Sequence, residues 1–528
     1  MLGICSAGAA ETILSSSNLP IIIIDTKGQS IYDDIRTLAD MGIIDNGSDQ
    51  RNQIGDPFTT YNGRIAIELR GSSSMAYPKK SFRFETQDSL GENRNVSLLG
   101  MPAENDWILY GPYNDETLIR NVLAYRLSIA IGRYASRCRF CELVLNDDYR
   151  GLYILMEKIK RDKNRVDVDI LNDTEISGDD LSGGYIIKID KTNGENIGLW
   201  YSSHDILYQY HYPKADDIAP EQKAYIQDFV DEFEDRMASV SYADPVNGYP
   251  AVIDVPSFVD HFLLNEFARN IDAYRLSSFL SKDKDSDGGL LHAGPIWDFN
   301  LAFGDAWYAN DRDIYKGWEV DHDQRLPYDY PKIPFFWKKL ARDSLFATHC
   351  RERWSELRND VLDKEQLNLR IDQLIDTLHE ARNRNSLRWQ EMGGENNYTR
   401  EISRLRQWIS NRIDWIDANI NNLESTAIGS DTAPLSPSFQ LAQNYPNPFN
   451  AGTVIRFRLP QPASVTLTIY NLRGKGVRQM ASGKYNSGDY ILEWDGRDHA
   501  GRSLPSGIYI YELQTPFFVQ NKKMVLLR

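Results

Sequence analysis

The chain has 528 residues, room for two to four domains, and is 41% hydrophobic and 25% charged, as an ordinary globular protein is. Its formal charge of −16, from 59 Lys and Arg against 75 Asp and Glu, argues against nucleic acid or an anionic membrane surface as a partner, because phosphate contacts need clustered basic side chains. A small anionic ligand such as a nucleotide stays compatible, since its site needs only a few local cations or a metal.

No apolar run approaches the roughly 20 residues that span a bilayer. The start, MLGICSAGAAE, reads either as the remnant of a secretory signal ending in Ala7-x-Ala9 or as a short disordered leader, so residues 1–18 are set apart. The four cysteines are too few for a disulfide scaffold. Cys138 and Cys141 form a C-x-x-C without a second ligand pair, in a run that reads as a strand, so two structural thiols are expected rather than a zinc site.

In chain order, LPIIIID (19–25) predicts a strand and turn, and RIAIELRG (64–71) a strand half-buried by alternation. A Ser-rich turn then leads into a strand within 72–86. Residues 115–131 place Leu118, Val122, Tyr125 and Ile129 at helical spacing behind an acidic start. CELVLNDDYRGLYILME (141–157) predicts a hairpin turning at Asn146-Asp147-Asp148, and GGYIIKID (183–190) a further strand. From about 220 the pattern becomes helical, interrupted between 278 and 306 by an expected strand pair, SFLSKD and PIWDFN. Residues 335–424 return to helix. STAIGSDTAPLSPS (425–438) reads as a linker, and 439–528 as short alternating strands of a small β-sandwich.

The chemistry concentrates in residues 265–305. A helix delivers Asp272 into an irregular segment, and a hairpin then ends in Trp297-Asp298-Phe299-Asn300. Two carboxylates set about such a hairpin recur in phosphoryl transfer: one orients the acceptor hydroxyl and the other holds Mg²⁺ against the phosphates. The same two residues would also serve as a turn cap and a surface ion pair. Asp283-x-Asp285-x-Asp287-Gly288 mimics the opening of a Ca²⁺ loop, but Gly294 stands where a bidentate Glu belongs, so a solvated turn is the expected reading.

IELRGSSSMAYPKKSFRFET, LLGMPAENDWILYGPYNDETLIRN, LNDDYRGLYILMEKIKRDKNRV and GPIWDFNLAFGD together resemble the CotH (spore-coat protein H) kinase family, over about three quarters of the chain. The resemblance implies an α+β, atypical kinase-like two-lobed domain (19–424), with a strand-rich N-lobe (about 19–215) and a helical C-lobe (about 216–424). It implies ATP and Mg²⁺ (or Mn²⁺) as cofactors, with Asp272 and Asp298 catalytic. Lys79 or Lys80 would contact the nucleotide phosphates, with Lys80 preferred, and Arg70 would bind phosphate or lock the Ser-rich turn. Met156 and Glu157 would form an adenine-facing hinge, and Arg120-Asn121 matches a family pair of catalytic or architectural use. Asp298, Asn300 and Ser277 would surround the metal. Ser277 stands where relatives commonly have Asn, and Asn300 where they often have Asp, which sets full activity against a scaffold role.

The tail matches QNYPNPFNAGTVIRF (443–457), IYNLRGKGVR, WDGRDHAGRSLPSGIYIYEL and KKMVLLR. It resembles the immunoglobulin-like module of the flagellar hook-capping protein (FlgD) and the sorting domains of type IX secretion. An ordinary binding sandwich is the alternative. Either implies a secreted or surface location, with an exported protein as substrate and the secretion machinery or cell surface as a further partner.

Overall fold

The computed structural model describes residues 14–47, 50–192, 198–306, 312–327, 329–390, 395–426, 440–441, 443–444, 446–450, 452–459, 462–486, 488–516 and 518–527. The expectation for the first 13 residues and most of the proposed linker lie outside the described residues. Two compact units are present, one running through Glu424 and one from Ser425 to the end, with Asp321–Ile333 belonging to the second.

The first unit opens with strands β1 (Ile21–Asp25), β2 (Thr37–Ile44), β3 (Tyr61–Arg70), β4 (Ser81–Gln87) and β5 (Asp106–Tyr110), then helix α1 (Arg120–Ala130) and strands β6 (Cys138–Leu145) and β7 (Asp148–Glu157). They close into a barrel in the order β1-β2-β3-β4-β5-β7-β6. All neighbours are antiparallel except β1 and β6, which pair in parallel from Ile21 opposite Glu142 to Ile24 opposite Leu145. Ile22, Ile24, Met41, Ile65, Ile67, Phe82, Phe84, Trp107 and Leu155 fill its core. The β6–β7 turn has φ +52° at Asn146 and +62° at Asp147, the left-handed pair a two-residue hairpin requires.

Closure alters one expectation. Strand β3 is not half-buried: Ile65 and Ile67 face the core, yet Ala66 between them and Glu68 after them are each only 3% exposed. Glu68 is covered because Arg36 and Arg83 pair with it. The two thiols are free and buried, as two structural cysteines would be. Burial pushes the Cys141 thiol up to about 12, which leaves it unreactive.

Strands β8 (Tyr185–Ile189), β9 (Leu199–Tyr201) and β10 (Leu207–Tyr212) precede helices α2 (Pro220–Ala238) and α3 (Val255–Ala268), and β11 (Ser278–Lys282) and β12 (Leu291–Ala293) follow. These strands form one antiparallel sheet, β9-β10-β8-β11-β12. The sheet therefore draws strands from both sides of residue 215, where the sequence suggested a lobe boundary. Helices α4 (Phe335–Arg342), α5 (Ser344–Arg358), α6 (Lys364–Leu378), α7 (Ala381–Arg388) and α8 (Glu395–Asn419) complete the unit. Asp254, Asp343 and Asp363 cap α3, α5 and α6 by accepting first-turn amides. Leu367, Ile371, Leu374 and Leu378 give α6 its buried stripe. The Arg412 guanidinium, fully buried, donates to the carbonyls of Glu266, Tyr315 and Gly317, which ties α8 to the end of α3.

The second unit is all β: β13 (Gln440–Leu441), β14 (Thr453–Leu459), β15 (Ala463–Asn471), β16 (Gly476–Tyr485), β17 (Gly488–Trp494), β18 (Gly507–Thr515) and β19 (Phe518–Leu526). Two antiparallel sheets, β13-β14-β17 and β16-β15-β18-β19, enclose Phe449, Phe457, Leu467, Trp494 and Leu513. The Asn residues of QNYPNPFN have structural roles. The Asn444 amide donates to Thr453 Oγ1 at 2.9 Å, and Asn447 Oδ1 accepts the Val525 amide at 2.8 Å. The fold is thus mixed α+β, with a helical later part in the first unit and an immunoglobulin-like sandwich at the end.

Candidate active site

Helix α1 does not begin at 115. Asp115 sits before it and accepts from the Thr117 and Arg120 amides, so the acidic start is the cap and the helix runs from Arg120. The next two side chains both hold the Trp297–Asp305 segment. Arg120 pairs with Asp115 at 2.6 Å and with Asp305 at 3.4 Å. Asn121 Oδ1 accepts the Phe299 amide at 2.6 Å. One turn along α1, the Tyr125 hydroxyl accepts the Asp298 amide at 3.1 Å.

The expected second strand of the pair is displaced. It is Leu291–Ala293, and Trp297-Asp298 lies beyond it without strand pairing. Pro295 explains the stop, since it has no amide hydrogen to give the ladder. Asp298 then takes φ +60°, an uncommon left-handed position for a residue with a side chain. The Tyr125 and Asn121 bonds hold it there.

Asp272 lies in the loop after α3, which itself ends at Arg269 with φ +44°. Its amide bonds Asn270 Oδ1 at 3.4 Å, and its carboxylate meets Arg275 at 3.4 Å. Asp272 and Asp298 face one another closely enough for their charges to interact. Burial first, and then the Asp272 charge, push the Asp298 carboxyl up to about 6, against the pull of Lys191 and Arg70. Asp298 keeps a partly open surface, so this carboxylate is deeply packed yet reachable.

Arg70, at the end of β3, is the cation the sequence did place here. Its guanidinium lies 5.5 Å from the Trp297 ring centroid, and the charge of Asp298 offsets the burial that lowers it. Trp297 also stacks on Tyr125, with centroids 6.0 Å apart.

Two further site residues escaped the sequence reading. Asp190 and Lys191 follow β8, and both act electrostatically on Asp298. Asp190 accepts the Lys191 amide at 2.9 Å and the Ser277 amide at 3.3 Å, and it pairs with Lys188 at 3.0 Å. The Lys-x-Asp-Lys ending of an apolar strand was the available signal. Ser277, at φ +50°, thus joins the site by its backbone, and partly buried Asn300 stands two residues past Asp298.

The remaining candidates lie elsewhere. Lys79 is 1% exposed, donates to Asn385 Oδ1 at 2.8 Å and lies over the Tyr153 ring. Burial pushes its ammonium well below the usual lysine range. Lys80 donates to the Met75 carbonyl at 2.5 Å. The cations that act most strongly on Asp298 are Lys191 and Arg70. Met156 pairs with both Ile108 and Cys138, so its backbone is committed to the barrel rather than to a hinge. Glu157 is fully buried between Arg137 and Arg165.

The Ca²⁺-like loop resolves into a turn. Asp285–Asp287 form one 3₁₀ turn, and Lys282 pairs with Asp285 at 3.0 Å. Carboxylate oxygens of Asp169, Asp283 and Asp287 do approach within 4.8 Å of one another. Lys284, 3.2 Å from Asp169, brings a positive charge there already.

Asp190, Asp272 and Asp298 carry hard oxygen atoms of the type Mg²⁺ takes, but among the described residues their oxygens do not form a cluster within 4.8 Å as those of Asp169, Asp283 and Asp287 do. Arg70 and Lys191 supply positive charge beside them.

Comparison with known proteins gives two family matches: CotH kinase protein over residues 67–416 and FlgD Ig-like domain over 444–515. No curated protein matches. Among solved structures, dimeric latent PorU from Porphyromonas gingivalis is 20% identical over 17% of this chain, at a TM-score of 0.15. PorZ from the same organism, titled an essential surface component of its type-IX secretion system, is 19% identical over 18% of the chain, at 0.14. The matches span 9% of PorU and 13% of PorZ. The twitchin kinase region from C. elegans is 9% identical, covering 85% of this chain and 70% of that one, at 0.16. Such slight overlaps define no shared fold. The CotH match covers well over half of the sequence, and the chain belongs to the CotH kinase protein family.

Proposed function

We propose that the chain is a Mg²⁺-dependent phosphotransferase that moves the terminal phosphate of ATP to a hydroxyl of an exported protein. The observation that carries this reading is the meeting of Asp272 and Asp298 at one place, with Arg70 and Lys191 beside them. Asp272 orients the acceptor hydroxyl and takes its proton. Asp298 and Asp190 are the candidate metal ligands, and Arg70 and Lys191 hold phosphate oxygens. A bound Mg²⁺ neutralises the charge of the phosphates. Asp298 must be ionised to serve, and its elevated titration range means a divalent ion competes there with a proton.

A second reading has its own support. The two lysines expected at the phosphates are engaged elsewhere, Lys79 with Asn385 and Lys80 with Met75. This favours a weakened or inactive kinase-like scaffold that binds a protein or polysaccharide. Secretion or surface display, with the type IX machinery as partner, is proposed from the tail motifs and the FlgD Ig-like match.

The deciding experiment incubates the full chain with γ-labelled ATP and Mg²⁺ or Mn²⁺, beside Asp272→Ala and Asp298→Ala. Label on protein that disappears in both variants is the expected outcome. ATP binding that is absent at millimolar concentration leaves the scaffold reading. A parallel α-labelled sample that labels protein instead points to adenylylation.

A further inference from the structure

A second place in the first unit sets arginines and a buried hydroxyl beside an otherwise apolar wall of Val122 and Ile129. A cavity of about 70 Å³ is bounded by Tyr125 and Arg126 of α1, by Ser136 and Arg137, and by Cys138 and Arg139 at the start of β6. Ser136 is fully buried, yet its hydroxyl has no hydrogen-bond partner among the described residues. Buried hydroxyls are nearly always partnered, so an orphan on a cavity wall points to a missing ligand.

The charges point to the sign of that ligand. Arg126 keeps a water-exposed surface, but Arg139 and Arg370 lie close enough for their charges, added to partial burial, to lower its proton affinity. Among the described residues none of these three arginines forms an ion pair with a carboxylate, and Arg370 Nε is buried without a partner. Arg137 differs, being neutralised by Glu157 at 2.9 Å. The chain carries 75 acidic residues against 59 basic ones, so acids were abundant, yet this cluster is left uncompensated. Like charges gathered about one cavity repel unless an anion lies between them. A guanidinium presents paired donors that match a phosphate oxygen edge.

We propose that this cavity binds a small oxyanion of phosphate size, held by Arg126 and Arg139, with the Ser136 hydroxyl as donor and the charge of Arg370 nearby. The anion is either free phosphate or the phosphate group of a phosphorylated side chain. The site is separate from the carboxylate cluster and does not depend on the phosphotransferase reading.

The test titrates the full chain with inorganic phosphate, and in a second arm with O-phosphoserine, at constant ionic strength set by chloride. Thermal midpoint and ³¹P line width are followed. A saturable rise in midpoint in either arm is expected, and the tighter arm names the source. Affinity should fall about tenfold or more in the Arg126→Gln/Arg139→Gln double variant. Should that variant misfold, Arg139→Gln, at an exposed position, is the substitute and should weaken binding as well. No saturable effect in either arm, or equal affinity in the unaltered and folded variant chains, overturns the proposal.

Discussion

The side-chain oxygen of Asn121 accepts the amide hydrogen of Phe299 at 2.6 Å, across 178 positions of sequence. With the Tyr125 hydroxyl on the preceding amide, it makes helix α1 the support on which Asp298 is held in its left-handed backbone position.

Asn121→Ala removes that support and leaves a buried amide unsatisfied, at an expected cost of about 1–3 kcal/mol. Urea denaturation of the two proteins measures it. Asn121→Asp keeps an acceptor and should lose less. Equal stability of the alanine variant would show that the bond supports nothing.

Asp298 gives the protein a pH dependence of defined sign. Its folded-state value, about 6, lies above the ordinary carboxyl value of 3.8, so the folded chain binds this proton more tightly than the unfolded chain. Its contribution to stability is fully present below about pH 4 and is lost as pH rises through about 6. The loss is roughly 2 kcal/mol, less than the full shift allows because the carboxyl keeps some water access. Denaturation midpoints between pH 4 and 7 should therefore flatten in Asp298→Asn and rise near pH 7. Asn suits the left-handed backbone, so a steeper profile in that variant would contradict the assignment.

Arg70 and Lys79 separate by geometry, and calorimetric titration with MgATP should separate them again. Arg70→Gln should lower affinity about tenfold or more, through loss of a charge-assisted contact. Lys79→Met should leave affinity within about twofold, since that ammonium bonds Asn385. The opposite ranking would return the phosphate contact to the lysine.

Arg412→Ala strips the Glu266, Tyr315 and Gly317 carbonyls of their donor and leaves the Glu266 carboxyl buried. Burial pushes that carboxyl up to about 7, against the pull of Arg412. Loss of one partner of a buried pair costs about 3–5 kcal/mol. Glu266→Gln combined with Arg412→Ala should lose less than the two single changes summed, as measured by denaturant midpoints. Simple additivity would mean the pair is not coupled.

Much of this was readable in the sequence where the signal is local. The period-two pattern of Val465, Leu467 and Ile469 is buried as alternation demands, and Asn146-Asp147 turns as its residue types suggest. Asp272 and Asp298 were identifiable from the motif around them. What failed depended on distant partners. The hidden second face of β3 follows from barrel closure and from Arg36 and Arg83 reaching Glu68, none of which leaves a mark in 64–71. Asp190 was missed because its place at the site is made by the Ser277 amide, a loop far along the chain. The basic pair after Pro78 looked available because nothing local announces Asn385.

The parallel seam between β1 and β6 has a consequence for biogenesis. The run Ile21–Ile24 is made more than a hundred residues before its parallel partner, Glu142–Leu145. Until then four consecutive isoleucines present an unpaired, sticky edge of the kind that seeds aggregation. Such long-range pairing is also slow to form. A nascent chain of this design stays open to aggregation until the ribosome has passed the second half of the barrel.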